Sequence, residues 1–190
     1  DFKDLRLLRR GKVRDVYDLG ESLLIVSSDR ISCFDVVLGD GIPHKGEVLN
    51  SISCFWFDLI KDIVPHHLIT ADFNQYPQGL QKYKVELFGR SMLVKKTKPL
   101  AVECIVRGYL SGSGWKEYQK TQSVCGIKLP LGLLESAKLP QTTFTPSTKE
   151  DHGHDINISQ GSVENLLGKD IADKIKDISI AVYEKAAEFA

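Results

Sequence analysis

The stretch "AVECIVRGYLSGSGWKEY", residues 101–118, decides how the chain is read. Val102, Ile105 and Val106 are β-branched and Gly108 disfavours a helix, so residues 100–110 are expected to form a strand. Val102, Cys104 and Val106 then face one side, and Glu103, Ile105 and Arg107 the other. On that face Glu103 and Arg107 stand about 13 Å apart, too far for a direct pair. The rival reading is a helix, in which the same two residues form an ordinary i,i+4 salt bridge. A carboxylate and a guanidinium on a short apolar strand are costly unless something charged sits there. The strand runs into Ser111–Gly114, and "WKEYQKTQ" then reads as a helix. Glycines let a backbone approach a ligand closely, and the exposed N–H groups of a helix start attract anions. Ser113 can cap that helix or donate to a phosphate oxygen. A flexible turn with a serine cap fits the same residues. The run is neither a Walker loop nor G-x-G-x-x-G.

Working outward, "SMLVKKT" (91–97) reads as a strand neighbouring residues 100–110, broken from it by Pro99. A change of lobe is expected there, giving an N-terminal lobe of residues 1–96 and a second of 97–190. "GEVLNSISCFWFDLIKDIV" (46–64) is the clearest helix, ended by Pro65. Its Val48, Leu49, Ile52, Phe55, Trp56, Leu59, Ile60 and Ile63 form one apolar stripe, read as core. "KVRDVYDLG" and "SLLIVSSD" read as a hairpin with Lys12 and Arg14 on one face of its first strand. The remaining cations of the first fourteen residues read as a solvated basic terminus. Toward the other end, residues 126–146 are rich in turn signals. The last segment, from residue 169, is a long helix with Ile171, Ile175, Ile178 and Val182 on one face. His66 and His67, after Pro65, read as surface.

A second polar cluster lies in "TPSTKEDHGHDINIS" (145–159), where Lys149, Glu150, Asp151, His152, His154 and Asp155 crowd one loop-like segment. Zinc would need ligands recruited from further elements, and no third cluster is evident. A polar substrate site, with Lys149 for a carboxylate and Asp155 for a hydroxyl or amine, is the alternative.

Composition bounds the partners. The chain has 190 residues, 42% of them hydrophobic, and 25 basic residues balance 25 acidic ones. No global field favours nucleic acid or a membrane surface, so anion binding has to be local. No apolar run approaches the roughly 20 residues a membrane span needs, and no signal peptide is evident. Cys33, Cys54, Cys104 and Cys125 lack C-x-x-C spacing and read as reduced, buried thiols of a cytoplasmic protein.

Four blocks, "GKVRDVY", "SSDRISCFD", "VECIVRGYLSGSGWKEY" and "FTPSTKEDHGHDINIS", in this order and at these distances, resemble the SAICAR synthetase family of purine biosynthesis. The resemblance covers nearly the whole chain. It implies an α+β, two-lobed, kinase-like ATP-binding fold, with an antiparallel N-terminal lobe and an α/β substrate lobe. It implies a carbon–nitrogen ligase joining L-aspartate to the carboxylate of carboxyaminoimidazole ribotide (CAIR), with ATP consumed and magnesium as cofactor. By motif, Lys12 and Arg14 fall beside the ATP phosphates, and Lys95 and Glu103 near its adenosine part. Arg107 and Ser113 match the hold on the ribotide 5′-phosphate. Lys149 and Asp155, with His154 beside them, match substrate-contacting positions. The implied chemistry passes through an acyl phosphate attacked by the aspartate amine.

The family pattern continues past the last helix into an Asp-x-Lys-x-Glu-Phe-Gly block and a later Asp-Glu pair. Those carboxylates are its expected magnesium ligands, so metal ligands are expected beyond residue 190 and none within this chain. The fold is accordingly expected to be C-terminally incomplete, with a non-catalytic nucleotide-binding fragment as the alternative function. Another kinase-like enzyme would carry H-R-D and D-F-G blocks, which are not found.

Overall fold

The computed structural model describes residues 2–33, 36–148 and 156–190. They form two compact units, Asp1–Lys98 and Pro99–Ala190. The first contains strands β1 (Arg6–Arg10), β2 (Arg14–Asp18), β3 (Ser22–Ser27), β4 (Arg30–Cys33) and β5 (Val36–Gly41). Helix α1 (Lys45–Ile60), strand β6 (Leu68–Thr70), the short α2 (Lys84–Leu87) and strand β7 (Ser91–Lys95) complete it. The second contains β8 (Val102–Glu103), β9 (Val106–Tyr109), α3 (Gly112–Thr121), β10 (Ser123–Val124) and β11 (Ile127–Lys128). It continues through β12 (Lys138–Phe144), β13 (Ser147–Thr148), α4 (Gln160–Leu167) and α5 (Lys169–Phe189).

The first unit is organised by a five-stranded sheet in the order β1-β2-β3-β7-β6, antiparallel throughout. The expected hairpin is β2–β3. Gly20, at φ 89°, makes its turn, and its N–H donates to Asp18 Oδ1 at 2.9 Å. One face of the sheet buries Tyr17, Leu24 and Leu93 against Phe73, Tyr76, Leu80 and Leu87 from the segment between β6 and β7. Deleting a fully buried leucine such as Leu24 is a loss of about 2–5 kcal/mol. The basic terminus is more than a solvated tail: Arg6–Arg10 is the edge strand β1, although every residue in it is exposed. An edge strand that carries Arg6, Arg9 and Arg10 resists pairing with another chain.

Helix α1 forms as the spacing predicts, but it ends at Ile60, five residues before Pro65. Its stripe is not uniformly core. Val48, Ile52 and Phe55 are exposed, at 53%, 47% and 42%, whereas Gly46 and Asn50 are buried. A small residue and an amide face the sheet side here because backbone groups come close: Asn50 Nδ2 donates to the Gly89 carbonyl at 3.1 Å. A methyl group on Gly46 would lie 2.4 Å from the Ser27 carbonyl oxygen. His66 and His67 are half-buried rather than on the surface, with ring centroids 5.1 and 5.3 Å from Phe57. Burial lowers the pKa of His67, and the neighbouring His66 adds to that.

In the second unit the single strand expected over 100–110 is two. β8 pairs with β13, β9 pairs with β12, and Cys104–Ile105 breaks the run. The break is itself bonded, since Thr145 N–H and Oγ1 both donate to the Ile105 carbonyl, at 2.7 and 3.3 Å. The alternation that put Glu103 and Arg107 on a common face therefore does not carry across. Nor do β7 and β8 neighbour each other in a sheet, since β7 pairs with β3 and β6. Residues 126–146 supply the β10–β11 hairpin's second strand and all of β12. Leu110, Tyr118, Val124, Cys125 and Leu139 form one core; Val102, Val163 and Ala172 form another, with Ile175 packed on it. Ile171 is 46% exposed, so the buried line of α5 runs through Ala172 instead.

The cysteines are free thiols, but only Cys125 is buried; Cys33 and Cys104 are exposed and Cys54 is intermediate. Burial, with the Glu117 carboxylate second, pushes the Cys125 thiol up to about 11. It is a packing residue, not a nucleophile.

Candidate anion-binding sites

Among the described residues, cationic side chains meet backbone groups at two places, one in each unit. In the first unit the turn from Arg10 to Arg14 joins β1 to β2 and carries Lys12 and Arg14, both exposed. Lys12 lies in the turn itself and β2 begins only at Arg14, so the two do not share a strand face as their spacing predicts. The turn is closed by Gly11 N–H donating to the Arg14 carbonyl at 2.7 Å. A Cβ on Gly11 would sit 2.8 Å from that same oxygen, so the closure demands glycine. Arg14 Nη2 reaches Ser53 Oγ on α1 at 3.5 Å, beside a cavity of about 120 Å³ that Ile25, Phe57, His67 and Met92 also line.

Lys95 closes β7 and is exposed. The register sets it opposite Ser22, while Arg14 stands opposite Ser27. Five residues along β3 separate those levels, about 17 Å, so Lys95 and the turn occupy opposite ends of the sheet. Glu103 is in the second unit, half-buried on β8 opposite Ser147.

The start of α1 is fixed by an acidic residue of the "SSDR" block. Asp29 Oδ1 accepts from Gly46 N–H at 2.8 Å and from Arg90 Nη1 at 3.1 Å. The helix N–H, then the guanidinium, hold the Asp29 carboxyl below its ordinary value. Arg90 also pairs with Glu47 at 2.7 Å.

In the second unit Arg107 leaves β9 toward the first turn of α3. Its Nη2 donates to Ser113 Oγ at 2.8 Å and its Nη1 to the Ser111 carbonyl at 3.3 Å. The Nε is buried and has no hydrogen-bond partner among the described residues. Helix α3 starts at Gly112, earlier than the sequence suggests, with Ser111 in the cap position and no side-chain cap. Ser113 is thus inside the first turn, and its hydroxyl meets the guanidinium rather than capping the helix. Gly114 makes the approach possible: a Cβ there would lie 3.1 Å from Arg107 Nε. A fixed guanidinium, a hydroxyl and the open N–H groups of a helix start form a hold suited to a phosphate or carboxylate.

Of the residues singled out in the sequence, the structure joins Arg107 with Ser113 and places Lys12 and Arg14 on one turn. Lys149, His154 and Asp155 lie outside the described residues. Sequence reasoning quoted "SSDRISCFD" but gave no role to Ser28, Asp29 or Arg30, nor to Asp15. Only the folded chain reveals them, by bringing the Arg30 guanidinium within 2.6 Å of the Asp15 carboxylate.

Fold and sites define an α+β protein with a turn bearing Lys12 and Arg14 in one unit and a helix start faced by the Arg107 guanidinium in the other. A family model for SAICAR synthetase matches residues 7–190, and the chain belongs to that family. The phosphoribosylaminoimidazole-succinocarboxamide synthase of Thermodesulfovibrio yellowstonii is 60% identical over 190 residues, covering 100% of this chain and 65% of that protein. The protein of the same name from Desulfosudis oleivorans is 59% identical over 191 residues, with the same coverage of each. Among solved structures, the SAICAR-synthase from Saccharomyces cerevisiae complexed with SAICAR matches at a TM-score of 0.91 and 41% identity. That match covers 100% of this chain and 64% of the yeast chain. The chain therefore spans about 65% of the length of the curated relatives it matches.

Proposed function

We propose that the chain carries the nucleotide-phosphate turn and the ribotide hold of an ATP-dependent ligase that joins L-aspartate to CAIR. The carrying observation is the Arg107–Ser113 pair, with its buried Nε, at the start of α3. The yeast relative was solved with SAICAR, the product of that reaction. A ribotide brings a 5′-phosphate, and a bidentate guanidinium beside a hydroxyl and open amides is the hardware that phosphate requires.

A carboxylate resists attack by an amine until one oxygen becomes a good leaving group. Transfer of the ATP γ-phosphoryl to a CAIR carboxylate oxygen, with ADP departing, gives an acyl phosphate. The aspartate amine then attacks the acyl carbon, the C–O bond to phosphate breaks, and the amine loses a proton as the amide forms. Lys12 and Arg14 are assigned to the nucleotide phosphates, and Lys95 and Glu103 to its nucleoside part. Lys149, His154 and Asp155 are assigned to the substrates by motif. These groups bind and orient, and their charges offset the crowding of anions. Magnesium belongs to the same reading through ATP. Among the described residues no group of three His, Cys, Asp or Glu side chains fits an ion. Among them, too, no helix is long and apolar enough to cross a membrane. The same reading puts the enzyme in the cytoplasm.

The test is ADP formation from ATP and magnesium. Release that requires CAIR and aspartate together, with transfer of a carboxylate oxygen into phosphate, is the expected result. Release independent of either substrate, or no oxygen transfer, overturns the reading. ATP binding without turnover would instead indicate a nucleotide-binding module.

A further inference from the structure

Arg30 is not among the cations assigned to substrate, yet two of its four hydrogen bonds go to the turn that bears them and two to Asp15 just after it. Its Nε donates to the Lys12 carbonyl at 3.2 Å and its Nη2 to the Gly11 carbonyl at 3.2 Å. The same guanidinium forks onto Asp15, with Nη2–Oδ1 at 2.6 Å and Nη1–Oδ2 at 3.3 Å. Asp15 is only 13% exposed, so it fixes the guanidinium from the inner side. Next in line, the Val13 carbonyl accepts from both Ser28 N–H, at 2.9 Å, and Ser28 Oγ, at 3.0 Å. The Arg14 carbonyl accepts from Gly11 N–H. Four consecutive carbonyl oxygens, from Gly11 to Arg14, are thereby engaged by donors of the protein.

That matters for a turn meant to meet phosphate. A carbonyl oxygen is the negative end of the peptide dipole, and a loose turn would offer several of them to an incoming anion. Tying all four to donors removes that repulsion before the ligand arrives, and it costs nothing at the moment of binding. The arginine fork is needed for this. A lysine could neutralise Asp15, but one ammonium cannot span a carboxylate and two main-chain oxygens in fixed geometry.

We infer that Arg30, seconded by Ser28, is a positioning residue that pre-organises the Gly11–Arg14 turn for nucleotide phosphates. This rests on the assignment of Lys12 and Arg14 to those phosphates. The experiment compares ATP and adenosine binding by equilibrium dialysis for the native chain, Arg30→Lys, Arg30→Gln and Ser28→Ala, each checked by its melting temperature. The preference for ATP over adenosine isolates the phosphate contribution. It should fall about tenfold in both Arg30 variants and less in Ser28→Ala, with adenosine affinity unchanged. Equal loss of both ligands, or full retention of the preference in Arg30→Lys, overturns the role of Arg30 while leaving the phosphate turn standing. A native chain with no preference for ATP removes the phosphate turn and the Arg30 role with it. Should the Arg30 variants fail to fold, Ser28→Ala decides alone: an unchanged preference there overturns the inference.

Discussion

The two units hold their cations in different ways. In the first, the turn before β2 is shaped by main-chain bonds: glycine closes it, and Arg30 and Ser28 occupy its carbonyl oxygens. In the second, the start of α3 is ready-made by helix geometry, and a side chain does the aiming. Arg107 lies over Gly114 and is fixed by Ser113 and Ser111. A turn has no inherent direction and needs outside struts. A helix start has one already and needs only a cation and room for it. The glycines differ accordingly. Gly11 faces a backbone oxygen that cannot move, Gly114 the side chain of an arginine that can.

The comparison can be broken most sharply at Arg107. Arg107→Ala should weaken ribotide binding by about 2–4 kcal/mol, since it removes a charged donor from a partly desolvated hold. ATP affinity should stay the same; calorimetry with each ligand separates the two, and a matching loss of ATP binding would merge the two sites into one. Next comes Gly11→Ala. Its methyl meets the Arg14 carbonyl oxygen at 2.8 Å, so the turn must open and ATP affinity should drop by about 1–3 kcal/mol while the ribotide is unaffected. Gly114→Ala should act more gently, because the 3.1 Å contact is with a side chain and alanine favours the helix by up to about 1 kcal/mol. Ribotide affinity should fall a few-fold with no loss of melting temperature. A collapse as large as that of Gly11→Ala would show that Arg107 has no room to give.

The smallest effect concerns acid. Asp29 ties the "SSDR" block to the first N–H groups of α1, and its pKa is depressed in the folded chain. A carboxyl with a lowered folded pKa stabilises above its unfolded value, near 3.9, and that gain is lost as pH falls through the folded value. Asp29→Asn should therefore melt lower at pH 7, by about 0.5–1 kcal/mol, and match the native chain near pH 2. A constant gap across that range would mean that the charge contributes nothing.

Much of this was legible beforehand. Alternation and the Gly-containing turn gave the β2–β3 hairpin, and the 3.6-residue period gave α1 and α5. Periodicity could not show that α1 would bury Gly46 and Asn50 while exposing Val48, Ile52 and Phe55. That depends on where the Ser27 and Gly89 carbonyls lie, and both come from other elements. The opening stretch misled for a related reason. Its β-branched residues favour extended backbone, and the backbone is extended in two short pieces, but propensity carries no information about which strand pairs with which. β13 and β12 claim different halves of it, and the intervening Ile105 carbonyl is bonded by Thr145.

The sequence by itself determined the family, through four ordered blocks, and with that resemblance the α+β class, and it named candidates for anion chemistry. Those follow from local preference and from residue identity, which need no third dimension. Only the tertiary structure decided that Arg107 and Ser113 meet, that Arg14 and Lys95 stand at opposite ends of a sheet, and that Arg30 braces the turn. Each of these is a distance between residues set by strand register and helix placement, and such distances arise when separate elements pack.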